Sequence, residues 1–154
     1  MRTVVTSLAA LSLAIPLCAG ALALQILNPA DSAEAQSKHL VLLARTTACH
    51  SPDKTRISAS AEGMANGARQ SIPLRVIALS VPGTFGVAQE WPAQGQWVVK
   101  VVATNPEYQN YATGALVAFE NGSRQSASSR TYFHAPTEAE TLALLTSTQR
   151  ASLK

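Results

Sequence analysis

From Thr55 to Ala65 the chain alternates: Ile57, Ala59 and Ala61 are apolar, while Arg56, Ser58, Ser60 and Glu62 are polar. A period of two with one polar face predicts a half-buried β-strand. Asn66-Gly67 follows, a dipeptide suited to a type I′ hairpin turn because both central residues need positive φ. A two-residue turn pairs Ala65 with Ala68. Counting back sets Ala61 against Ile72, Ala59 against Leu74 and Ile57 against Val76. Every pair is apolar on both sides, and a slip of one residue would put Arg56 or Ser58 on the core face. The pattern predicts a hairpin over 55–80. Pro73 cannot donate to a ladder, so it belongs at an edge or at a non-bonded position.

The rest of the chain follows the same logic. His39–Thr47 is short and apolar, a strand, and Ser51-Pro52-Asp53 after it is a turn. Val81-Pro82-Gly83-Thr84 suits a type II turn, with Pro and Gly at its centre. Phe85–Trp91 and Trp97–Val102 are the next strands, joined by a loop over Pro92–Gln96. The second is apolar on both faces except at Lys100, which predicts that it is covered on one side and partly exposed on the other. Thr113–Glu120 is a strand, and Asn121-Gly122 is another hairpin turn. The return, Ser123–Arg130, is almost wholly polar. It reads as a weak edge strand or a loop, with Arg124 facing Phe119 and Ser126 facing Val117. Thr131–Phe133 would complete a last strand. Thr137-x-x-Glu140 then forms a capping box ahead of Leu142, Leu144 and Leu145, which predicts a helix over 138–149 that either covers an edge or an end of the sandwich or frays as a tail.

The N-terminus differs. Arg2 precedes a charge-free apolar run from Val4 to Leu27, and a polar stretch ends in Ala33-Glu34-Ala35. A basic start, an apolar centre and small residues ahead of Gln36 describe a secretory signal cleaved after Ala35. The run is also long enough to span a bilayer, so an uncleaved anchor is the alternative. The expected organisation is residues 1–35 as signal or anchor, 36–136 as the β domain, and 137–154 as short helix and tail. Localisation is then periplasmic or extracellular, and membrane association depends on the first segment staying attached.

Charge narrows the function classes. The net charge is +3, only 14% of residues are charged, and the cations are dispersed. Nucleic-acid binding needs a clustered basic face, and aromatics, at 5%, are too few for a stacking platform. No nucleic-acid partner is expected.

Candidate chemistry is thin. Cys18 lies in the N-terminal run, so Cys49 would be the mature chain's one cysteine. Cys49 and His50 are soft-metal ligands side by side in a loop, with His39 upstream, and they make a small metal-binding or redox-active protein conceivable. A metal usually takes three or four ligands, and adjacent residues of an extended chain point opposite ways. A buried Cys and a solvated His are therefore the plainer reading. Gly-x-Ser-x-Gly is absent, and a hydrolase would need a cleft that gathers a nucleophile with His39, His50 or His134. Trp91 and Trp97 bracket one loop and could form a binding platform, although sandwiches more often use such residues as core plugs. No cofactor is expected.

Pro82-Gly83-x-Phe85 followed by Gly95-x-Trp97-x-Val99-x-Val101 resembles exported immunoglobulin-like sandwiches, including the YtkA-like and carboxypeptidase-regulatory types. The resemblance covers Pro82–Thr104 and implies an accessory or binding module. Relatives that handle copper carry clustered Met and His, which this chain lacks. Short strands at roughly ten-residue spacing independently predict an antiparallel sandwich of about seven strands. The expected function is a non-enzymatic exported interaction module that meets a protein partner through its loops or an edge strand.

Overall fold

The computed structural model describes residues 22–48, 51–65, 68–107 and 111–151. It places nine strands among them: β1 (Ala23–Leu27), β2 (Leu40–Thr47), β3 (Arg56–Ala65), β4 (Ala68–Leu74), β5 (Val76–Ala78), β6 (Thr84–Ala88), β7 (Gln96–Thr104), β8 (Ala112–Glu120) and β9 (Ser123–Tyr132). Two helices join them, α1 (Ala33–Ser37) and α2 (Glu138–Ala151). The strands form two antiparallel sheets, β1-β2-β6-β5 and β4-β3-β7-β8-β9. The all-β sandwich is as expected, with two strands more than the pattern suggested. Among the described residues no helix is long and apolar enough to cross a membrane.

The β3–β4 hairpin keeps the register that its alternation requires, with Ala65 opposite Ala68, Ala61 opposite Ile72 and Ala59 opposite Leu74. Its Asn66-Gly67 turn lies outside the described residues. Pro73 sits on β4, the edge of its sheet. The expected pair Ile57–Val76 does not form. The hairpin stops at Leu74, and Val76–Ala78 crosses to the other sheet to pair with β6. Arg75, exposed between the two, marks the crossing. The Pro82-Gly83 turn closes as expected, with Gly83 at φ 72 and Thr84 N donating to the Val81 carbonyl at 3.1 Å.

The sandwich begins earlier than the expected boundary at Gln36. β1 pairs with β2 along its whole length, from Ala23↔Thr47 to Leu27↔Leu43. Leu22 and Leu24 enter the main core beside Leu42, Val87, Trp97, Val101, Val117 and Phe119. The residues between β1 and β2 are also built in. Ser32 caps α1 by accepting from Ala35 N at 3.2 Å, and Ala35 is buried against Leu40 and Leu43. A two-against-one irregularity between Leu40 and Leu42 makes this possible. It turns Leu40 to the same face as Leu43, toward α1, while Leu42 and Ala44 face the core. His39, expected in the strand, lies just ahead of it at φ 52.

The helix α2 forms where its capping box predicts. Thr137 Oγ1 accepts from Glu140 N, and Thr137 N donates to Glu140 Oε2. It covers neither an edge nor an end. Leu144 and Leu145 lie on the outer face of β7 and β8, against Val98, Leu116 and Ala118. This explains why those strands are apolar on both faces. Each sheet thus has one face in the shared core and part of the other under a helix.

Candidate functional site

β1 and β9 face each other on one open side of the sandwich. At one end an Arg124 guanidinium nitrogen donates to the Leu27 carbonyl at 3.1 Å. At the other, Ala23 and Leu24 share a notch of about 210 Å³ with Thr113, Thr131, Tyr132 and Phe133. The strands therefore run antiparallel across the gap between the sheets.

The Asn121-Gly122 turn that starts β9 has φ 48 and 77, as a type I′ turn requires. Phe119 faces Arg124, as the sequence implies, but Val117 faces Ser129 and not Ser126. Two steps along β8 match five along β9 between these pairs, so the extra residues bulge from the middle of β9. The bulge blunts that part of the edge against chance pairing. Regular pairing resumes at Ser129 and holds through Tyr132. Phe133 follows and is 80% exposed. Tyr132 is half-buried and packs toward the α2 contact, with its ring edge-on to His134 at 5.3 Å. The His134 Nε2 lies 3.1 Å from both Glu140 oxygens. The Glu140 carboxyl is held below its usual range, first by the Thr137 N–H and then by the Thr137 hydroxyl and His134. The other edges are short or guarded: β5 has three residues, and β4 carries Arg69 and Pro73.

A second, polar groove of about 360 Å³ lies between the start of α2 and the β3–β4 hairpin. Glu62 is buried there. One of its oxygens accepts from Arg69 at 3.0 Å and the other from the Ser71 hydroxyl at 3.0 Å. Arg69 also reaches Glu138 at 2.7 Å. Lys100 lines the same groove. Both Glu62 oxygens are engaged by β4 side chains, and Arg69 carries the link on to Glu138 in the first turn of α2.

The sequence-derived candidates fall elsewhere. Trp91 and Trp97 are 4% and 1% exposed, which removes them as a binding platform. Trp91 stacks edge-on against Phe119 at 5.1 Å, and the Trp97 indole N–H donates to the Gln94 carbonyl at 3.0 Å. Their position on core faces decides this, because a large aromatic plugs the space between sheets. His39 is exposed. Cys49 and His50 lie outside the described residues. Among the described residues no three or more His, Cys, Asp or Glu side chains converge on a possible metal position. Phe133 was not legible as a surface feature. It ends a polar strand, and the apolar pattern alone would have buried it. No protein-family model and no curated protein matches this chain.

Proposed function

We propose that the protein is a non-enzymatic, exported interaction module of the cell envelope or extracellular space. Its scaffold is an immunoglobulin-like sandwich, and its contact surface is the end of β9 with Phe133. The strand order supports the immunoglobulin-like reading: β1-β2-β6-β5 follows the A-B-E-D order, and β3-β7-β8 the C-F-G order. The basic, then apolar, N-terminal segment supports export.

The observation that carries the contact surface is Phe133, a phenylalanine 80% exposed at the end of a regularly paired edge and beside an apolar notch. Exposed aromatics in such positions anchor protein interfaces. The partner that fits is an extended protein segment. Its backbone would bond to the edge along Ser129–Thr131, and one of its apolar side chains would enter the notch. Arg130, exposed on β9, favours a carboxylate in that segment. The acid–base groups nearby have structural duties: Glu62 holds Arg69 and Ser71, and Glu140 holds the helix cap.

Photo-crosslinking tests this. Benzoylphenylalanine at position 133 should trap one discrete partner in the exporting cell, and the same group at exposed Leu142 should not. Phe133→Asp should abolish co-purification of that partner with no change in melting temperature. A partner that is retained by Phe133→Asp would remove this surface from the reading.

A further inference from the structure

We infer that the leader is cut between Ala21 and Leu22, and not after Ala35, so the mature chain starts where the sandwich starts. The inference rests on the export reading above.

Ala33-Glu34-Ala35 meets the small-residue rule, but the fold uses that segment and everything between it and β1. Ala35 is fully buried against Leu40 and Leu43. Glu34 binds Lys38 at 2.6 Å and both the N–H and the hydroxyl of Ser80, at 3.0 and 2.6 Å. Upstream, all five residues of β1 pair with β2, and Leu24 lies in the main core. A cut after Ala35 discards an edge strand, its core leucines and α1's buried alanine together.

Two overlapping motifs of the same kind stand further upstream, Ala19-Gly20-Ala21 and Ala21-Leu22-Ala23. A cut after Ala23 removes Leu22, which is fully buried, and Ala23, which pairs with Thr47. A cut after Ala21 leaves both in place. It also gives the leader ordinary proportions. Leu8–Cys18 is then an apolar stretch of 11 residues behind Arg2, within the roughly 7–15 of a signal-peptide core. The reaction is hydrolysis by the host's membrane-bound signal peptidase. The Ala21–Leu22 amide bond breaks, water's hydroxyl goes to the Ala21 carbonyl carbon, and a proton goes to the Leu22 nitrogen.

The test is intact-mass analysis of the full chain recovered from an exporting host, with two variants. The mature species should begin at Leu22. Ala21→Tyr should leave an uncleaved, membrane-bound precursor. Ala33→Tyr, at an exposed position, should process normally. A mature chain starting at Leu24 or Gln36, or a block caused by Ala33→Tyr, overturns the assignment while leaving export intact. A chain that keeps Met1 in the cytoplasm overturns both. Binding through Phe133 is read separately, by crosslinking.

Discussion

Glu62 and Arg69 meet at 3.0 Å across the β3–β4 hairpin, and the same guanidinium holds Glu138 in the first turn of α2 at 2.7 Å. The Glu62 side chain is 9% exposed. One arginine thus couples the hairpin's charge balance to the seating of the helix. Removing it strands a buried carboxylate, which costs more than losing both partners together. Arg69→Met should therefore lower the melting temperature by several degrees. Glu62→Gln combined with Arg69→Met should recover part of that loss. Thermal denaturation of the two singles and the double closes the cycle, and a double that is as unstable as the sum of the singles would show no coupling.

Gly63 tests the role of Trp97. A Cβ at this position would overlap the Trp97 ring and stand 2.9 Å from the Gln96 carbonyl oxygen. Neither neighbour can withdraw, because Trp97 is packed at 1% exposure. Overpacking of this kind costs about 1–3 kcal/mol. Gly63→Ala should shift the urea midpoint by the equivalent amount and perturb tryptophan fluorescence in the folded state. An unperturbed midpoint would mean that Trp97 has room to move, as a binding aromatic would and a core plug does not.

Acid should release α1 before it unfolds the core. The Lys38 ammonium beside Glu34, followed by the hydroxyl and N–H of Ser80, lowers this carboxyl from 4.5 to about 2. A carboxyl held lower in the folded state stabilises above its unfolded value, and that contribution fades as pH falls through the folded value. The loss therefore lies between about 4.5 and about 2. Glu34→Gln should flatten the decline in stability across that window, measured as urea midpoints at successive pH values. Glu140 is depressed too, through the Thr137 N–H, so some slope should remain. Hydrogen exchange at the Ser80 amide should rise over the same window in the wild type. An Ser80 amide whose protection is independent of pH would count against the Glu34 contact.

What the sequence discloses follows the range of the forces involved. The β3–β4 register was legible because Ala59 and Ala61 alternate with polar neighbours and the Asn66-Gly67 dipeptide signals a two-residue turn. The helix start was legible because Thr137 and Glu140 cap locally. The seat of α2 depends on Val98, Leu116 and Ala118 meeting across two strands, and local periodicity shows only that these positions are apolar. Leu40 faces α1 because of an irregularity that no composition signals. β1 was hidden for a further reason. Ala23–Leu27 continues the apolar run of the N-terminal segment, and a buried edge strand and a leader have the same hydropathy. The exposed Phe133 reverses the usual sense of an apolar residue, and only the geometry at the end of β9 shows it facing solvent.

The same ambiguity makes β1 the sharpest test of the fold. Leu22 and Leu24 are 0% and 8% exposed. Burying each contributes about 1.5–3 kcal/mol, and β1 also supplies the ladder to β2. Natural domains have about 5–15 kcal/mol in total. A chain of residues 36–154 loses both leucines and α1's Ala35, and it leaves β2 as an uncovered edge. It should lose cooperative melting, bind a hydrophobic dye and aggregate, whereas residues 22–154 should melt in one transition. Circular dichroism and dye binding on the two proteins side by side decide the matter. A cooperatively folded 36–154 chain would show that β1 is dispensable and that the sandwich closes without it.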